Sequence, residues 1–407
     1  MAITGRYAAA IAALLTPVAA FGQPAPVGIE PVELSSEPYV FDTAEQHKIK
    51  VTVLAKDFRQ PFALEFLPGG DLLVMERGWD LRIIRDATTP GARLDPEAVP
   101  GMPRMDPGRP NMGPHDIALH PDFAANGLIY WTYNAPVFDP DKPDAPPEVA
   151  ELQLMRGRLE NGGIGQAEVL LANLPSYPGG SRIHFAPDGL LYMSTGAPFG
   201  DLAQDRSSLY GKVLRLKDDG SIPDDNPHVG EEGVHPAVYS LGHRDQHGLT
   251  VHTGTGDIFT VEHGPNGGDE ANLIRPGANY GWPLYSYGRN YDGSELTELP
   301  TAPGFEKPLL VWSPSIAPSG LMFYQGDAFP AWTGNLFIGS ARRGEINSTG
   351  GLERVVLNES FGELRRETLL TQLHQRVRDM AEGPDGLIYV LTDGPENAVL
   401  RIEPHTP

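Results

Sequence analysis

The chain has 407 residues, 53 acidic against 31 basic side chains for a formal charge of −22, and no cysteine. A single ordinary core seldom reaches that length, so either two domains or one closed repeat is expected. The acidic balance excludes a nucleic-acid partner, which needs a basic face, and the lack of cysteine excludes disulfides and thiol chemistry.

The first segment reads as a signal peptide over residues 1–22. Arg6 supplies its positive end, Ala8 to Ala20 form an apolar run broken only by Thr16 and Pro17, and Ala20-Phe21-Gly22 offers small residues for cleavage. That run is too short to span a bilayer, and no later apolar stretch is long enough, so a periplasmic or secreted protein without a membrane span is expected. A Pro-rich lead-in over residues 23–45 follows, and residues 46–407 form the main domain.

Within that domain a loose unit recurs: a turn rich in Pro, Asp and Gly, then an apolar strand. Six copies stand out: "LPGGDLLVMER" from Leu67, "HPDFAANGLIYWTY" from His120, "APDGLLYMSTG" from Ala186, "GTGDIFTVEHG" from Gly254, "WTGNLFIGS" from Trp332 and "GPDGLIYVLTDG" from Gly383. Each carries a hairpin signal before a β-prone run, and no helical period is sustained. Repeats of this length bury their faces only against neighbours, so the reading is an all-β, six-bladed β-propeller, with a pair of large β-sandwiches as the alternative. Residues 137–150 read as a surface loop.

Polar residues cluster between these strands. "SLGHRDQHGLTV" from Ser240 sets Arg244 between His243 and His247; the histidine spacing suits zinc on a helix, but the bounding glycines argue against a helix. "VEHGPNGGDEANLIRPGANYGWP" from Val261 joins Glu262, Asp269 and Glu270 to many glycines, an oxygen-rich set suited to Ca²⁺ or to a solvated acidic loop. "SARRGEI" from Ser340 holds Arg342. In "HQRVRDM" from His374, Arg376 and Arg378 stand two apart and share a strand face, where an anion between them relieves their repulsion. Surface pairing with the chain's own carboxylates is the competing reading.

The stretches "LGHRDQHGL", "EHGPNGGDE", "GANYGWP", "SIAPSG" and "RVRD…GPDGLIYVLTD", with "ALHPDF", "GKVLRL" and "GSIPDDNP", resemble the soluble PQQ-dependent glucose and aldose sugar dehydrogenases, the glucose/sorbosone dehydrogenase family. The resemblance runs in order from about Val51 to Ile402. It implies a six-bladed propeller that binds pyrroloquinoline quinone (PQQ) and Ca²⁺ and oxidises an aldose or related alcohol, passing electrons to an acceptor the sequence does not name.

By that resemblance Arg244 meets the quinone side of PQQ, and Arg376 and Arg378 bind its carboxylates. Arg342 stands where relatives often carry Lys, and Gln204 borders the cofactor. The carbonyls of Gly264 and Pro265 hold the PQQ-bound calcium, and Glu270 and Tyr280 a structural one. Asn111 replaces a family Gln, and Asp245 replaces the Asn after the loop arginine.

The largest departure concerns the proton acceptor. The family places His four residues before the Arg of an "HxGGR" or "HxGSR" motif, and here "YPGGSRIHF" puts Pro178 there. The implied mechanism removes a proton from the sugar C1 hydroxyl as hydride leaves for the quinone, with Ca²⁺ as Lewis acid. Proline cannot accept that proton. His115 and His184 are the candidate replacements, and His184 shares strand parity with Arg182. The alternative function is a propeller keeping fold and calcium but acting as a ligand-binding protein or a lactonase-like hydrolase.

Overall fold

The computed structural model describes residues 28–45, 47–77, 80–103, 112–142 and 145–405. The expected signal peptide and Asn111 lie outside them. Among the described residues, nearly all regular structure is β, in six antiparallel sheets. Blade 1 starts at strand Pro61–Phe66, blade 2 at Gly113–Leu119, blade 3 at Ser181–Phe185, blade 4 at Gln246–Val251, blade 5 at Pro318–Phe323 and blade 6 at Val377–Glu382. In each sheet that first strand is the innermost, and in blades 1 to 5 the next strands follow outward in chain order.

The recurring turn motif is the hairpin joining innermost to second strand. In blades 1, 3 and 6 it closes through the same main-chain pair: Leu67 with Asp71, Ala186 with Leu190, Gly383 with Leu387. Asp188 and Asp385 accept from the main-chain N–H two residues on, fixing the turn before the strand begins.

Apolar side chains of each second and third strand pack between blades. Leu73 and Met75 of blade 1 meet Ile129 and Trp131 of blade 2. Tyr130 and Leu154 of blade 2 meet Leu191 and Leu214 of blade 3, and the remaining four junctions have clusters of the same kind. The ring is closed, which removes the sandwich alternative and leaves a six-bladed β-propeller.

Closure uses the region expected to be a lead-in. Strand Lys48–Ala55 pairs with the last strand, Asn397–Pro404, placing Val51 opposite Ile402, and strand Tyr39–Asp42 pairs outside it. Leu34 is buried and its N–H donates to Glu396. The boundary drawn after residue 45 therefore does not hold, because blade 6 takes strands from both sides of it. Among the described residues no helix is long and apolar enough to cross a membrane.

Candidate active site

Five of the six innermost strands carry a register shift at their first residues, next to one mouth of the ring. In blades 1, 2, 4 and 6 the residue left without a partner is Phe62, His115, His247 and Arg378 respectively; in blade 5 it is the Ser319–Gly320 pair. A β-bulge re-aims its extra side chain, and four of these side chains enter one cavity of about 540 Å³. Arg77, Pro178, Asp245, His263, Arg376 and Asp393 complete its wall. A second cavity of about 200 Å³ shares Pro178, Asp245 and His263 and reaches Arg244, Gly264, Pro265 and Arg342.

Blade 3 has a regular register, and its Arg182 crosses the axis beneath the cavity. Its guanidinium contacts Asp116 at 3.0 Å and Asp379 at 3.2 Å, and donates to the carbonyls of His247, Phe62 and Arg378. This crosspiece separates the cavity from another of about 540 Å³ at the opposite mouth. His184 lines that opposite cavity, and burial lowers its pKa to about 4. Parity placed His184 on the correct face, but two residues carry it ~6.6 Å farther along the strand and past the crosspiece. It is not positioned to replace a base at Pro178.

The sequence-expected residues divide as follows. Arg376 and Arg378 share a face as expected, and the anion between them is the chain's own Asp393: Arg378 Nε donates at 2.7 Å to one oxygen, Arg376 Nε at 3.2 Å to the other. Burial works to raise the Asp393 carboxyl, but the two guanidiniums outweigh it and hold it below the usual range. Arg244 stands over Trp282 and donates to the carbonyls of His263 and Gly264. Arg342 lines the smaller cavity near Glu345. Gln204 is not brought there; its amide bonds to Asn279 and the Trp282 carbonyl, bracing the scaffold.

Cations crowd this mouth beyond what the sequence suggested. Burial, then repulsion from Arg378 and Arg182, lowers Arg77 to about 9. Burial, Arg376 and Arg182 likewise lower Arg378, with Asp393 opposing them. An anion bound in the cavity would relieve that strain. Arg77 ends the first repeat, "LLVMER", yet nothing in that string distinguishes a cavity arginine from a surface one.

The oxygen-rich loop is built as its glycines require: a Cβ on Gly264 would lie 2.1 Å from the Gly267 carbonyl oxygen. Asp269 braces this loop, accepting from the N–H groups of Gly264, Ile316 and Ala317 and from Ser315. Glu262 and Glu270 are direct cross-strand partners. Burial, opposed by Arg244, pushes Glu262 up to about 8, and burial together with Glu262 pushes Glu270 well up. Both face a small cavity with Gly264, Gly268 and Tyr280. The Tyr280 phenol is engaged elsewhere, donating to the Leu273 carbonyl and accepting from Arg275 N–H.

The zinc reading of His243 and His247 does not hold. His243 turns to Ser240 and Glu262, whereas His247 enters the large cavity. His247 does gather with Asp245 and His263, their ligand atoms within 4.8 Å of one another. The two rings are stacked at 4.2 Å and tilted by only 26°. Planes so nearly parallel meet far beyond the ~2.1 Å of a metal–nitrogen bond, so the rings cannot aim lone pairs at one ion.

Comparison with known proteins agrees with this geometry. Residues 58–401 match the Glucose / Sorbosone dehydrogenase family. The chain belongs to that family. The aldose sugar dehydrogenase YliI of Escherichia coli is 33% identical over 88% of this chain and 93% of its own length. The crystal structure of the soluble E. coli aldose sugar dehydrogenase in the apo form superposes with a TM-score of 0.77, at 32% identity, covering 88% of this chain and all of that one. The PQQ-bound aldose sugar dehydrogenase of Streptomyces coelicolor superposes at 0.67, with 27% identity over 88% and 99% of the two chains. Sugar oxidation of the PQQ type is thus the activity the family carries. Within this family member the cavity lies at the mouth where the innermost strands begin.

Proposed function

We propose that this protein is a PQQ- and calcium-dependent dehydrogenase of an aldose or related alcohol, exported by its amino-terminal signal. The observation that carries the reading is the crowd of guanidiniums, Arg77, Arg376 and Arg378, at one cavity, where they outnumber its carboxylates, Asp393 and Asp245. PQQ is a tricarboxylate, and carboxylates suit the guanidinium fork.

The residues fit both cofactors. Arg376 and Arg378 would hold the carboxylates and Arg244 the quinone side, while the carbonyls of Gly264 and Pro265, lining the adjoining cavity, would serve the accompanying calcium. The buried Glu262–Glu270 pair suits a second cation, which would let both carboxylates ionise. When bound, PQQ would supply the two-electron oxidant for the sugar's anomeric carbon.

The test is a spectroscopic titration of PQQ into the calcium-loaded protein and into Arg378→Ala. Wild type should bind at micromolar PQQ or tighter, and Arg378→Ala about tenfold or more weaker, as expected for one lost charge-assisted hydrogen bond. Absence of PQQ binding by wild type refutes the reading and favours a binding protein or lactonase-like hydrolase, the alternative that Pro178 supports.

A further inference from the structure

We propose that Tyr177 and Phe199 form an aromatic corner that stacks on the ring of the substrate and determines its affinity at this site. The proposal rests on the dehydrogenase reading above.

Among the described residues four phenylalanine or tyrosine side chains are exposed, and three of them, Tyr177, Phe199 and Tyr291, line the same cavity of about 200 Å³. A single exposed aromatic is ordinary on a protein surface, whereas three gathered on one small cavity point to a ligand with an apolar face. Tyr177 is 42% exposed and Phe199 51%, and their rings meet nearly at right angles, with 5.0 Å between centroids and 88° between planes. A flat ligand that rests on the face of one such ring abuts the other. Tyr291 is held at the same cavity by Arg244, which donates to its hydroxyl at 3.2 Å.

Both rings are placed before any ligand arrives. Each stands next to a buried proline, Pro178 after Tyr177 and Pro198 before Phe199, and both prolines line the cavity. Proline fixes its own φ and confines the residue before it to extended backbone, which leaves Tyr177 little freedom. Just upstream of Tyr177, Ser176 exchanges two main-chain hydrogen bonds with Ala150 of blade 2, and the Tyr210 hydroxyl donates to the Leu174 carbonyl at 2.8 Å. Just upstream of Phe199, Ala197 donates to the Arg244 carbonyl and accepts from Trp282 Nε1 at 2.9 Å. A platform held in this way loses little entropy when a ligand stacks on it. Pro178, which cannot accept a proton, thus stiffens the wall that carries Tyr177.

The rest of the cavity suits a sugar ring on that wall. A pyranose chair presents C–H bonds on its faces and hydroxyls around its rim. The C–H hydrogens meet the negative face of an aromatic ring favourably. Asn266 and Glu345, which line the same cavity, offer partners for hydroxyls. The volume is below that of a drug-sized pocket and takes about one ring. The cavity joins the larger one along Pro178, Asp245 and His263, so a ring on the corner stands beside the site of the arginines that would hold the cofactor.

The experiment uses full-length protein loaded with calcium and PQQ, with glucose as the probe. Tyr177→Ala and Phe199→Ala should each raise KM about tenfold and leave kcat within about twofold, the pattern of lost binding shared by ground and transition states. The conservative changes Tyr177→Phe and Phe199→Tyr should keep KM within about twofold of wild type, because the stacking face survives. Absorbance titration should show PQQ affinity within about threefold of wild type in every variant, since the carboxylate-binding arginines are untouched. With the bound PQQ reduced, saturation-transfer NMR that irradiates the aromatic protons of the wild-type protein should light the ring protons of glucose, and the signal should fall in both alanine variants. An unchanged KM in both alanine variants, no transfer to glucose in wild type, or a loss of PQQ affinity in place of sugar affinity would overturn the proposal alone. Absence of PQQ binding by wild type would instead remove the dehydrogenase reading beneath it.

Discussion

Arg182→Ala should destabilise the apoprotein by about 3–5 kcal/mol at pH 7.5, the cost of removing one partner from a buried charge network. Arg182 is 3% exposed, and Asp116 and Asp379 are each 7% exposed. Its guanidinium contacts residues of blades 1, 2, 4 and 6 from blade 3, so the substitution strands two buried carboxylates and frees three carbonyls at once. Unfolding entropy for a chain of this size is on the order of 0.8 kcal/mol per kelvin, which turns the loss into a Tm lower by about 4–6 °C.

The loss should also depend on pH, and its sign can be worked out. Burial already raises Asp116 to about 6 in wild type, with Asp379 adding to the rise and Arg182 opposing it. Without the guanidinium both folded-state carboxyls rise further, while their unfolded values stay near 3.8. A group raised in the fold stabilises it below the unfolded value and loses that contribution as pH climbs through the folded value. The gap between wild type and variant should therefore narrow as pH falls from 7.5 towards 5. Calorimetry or urea melts at both pH values measure it. A loss below about 1 kcal/mol at pH 7.5, or one equal at both pH values, would refute the crosspiece argument.

Calcium should raise the Tm of wild type by about 3 °C at a hundredfold excess over its Kd, from about 2.7 kcal/mol of linkage, and Glu270→Gln should abolish most of that response; identical melts with calcium and with chelator would exclude the site. Glu65, at the mouth opposite the active cavity, is raised to about 8 by burial and by Asp116. Its contribution is intact below about pH 4.5 and declines towards pH 8, so Glu65→Gln should match wild type in melts at pH 4.5 and exceed it by at least about 1 °C at pH 8, and a gain equal at both pH values contradicts the assignment.

The blades were legible because each repeat spells its own hairpin: Pro187-Asp188-Gly189 and Pro384-Asp385-Gly386 set a turn before an apolar strand, a local signal needing no partner. The closing strands were not, since Lys48–Ala55 is identified as part of blade 6 only by its pairing with Asn397–Pro404, more than three hundred residues away. In the site, Arg376 and Arg378 were legible from spacing, although their counter-ion Asp393 was not. His184 failed for a geometric reason: alternation reports which face a side chain takes, never its height along the axis. His247 was visible in "HRDQH" but was weighed only as a zinc partner of His243, because a bulge leaves no mark in the pattern of apolar and polar residues.

The bulges also explain how side chains from separate blades meet in one cavity. Every innermost strand enters the ring at the same mouth, so in blades 1, 2, 4 and 6 first residues line the cavity while later ones line the opposite one, as Phe62 and Phe66, or His247 and Val251, do. An extra residue at such an entry turns one more side chain inward while the rest of the blade stays in register, as the pairs Leu249 with Thr260 and Val251 with Ile258 show beyond His247. The cavity floor is therefore supplied by independent positions on separate blades, which converge without being neighbours in sequence. On this scaffold a cavity side chain can come from a loop, as Pro178 does, or from a strand bulge, as His247 does, with no change in fold.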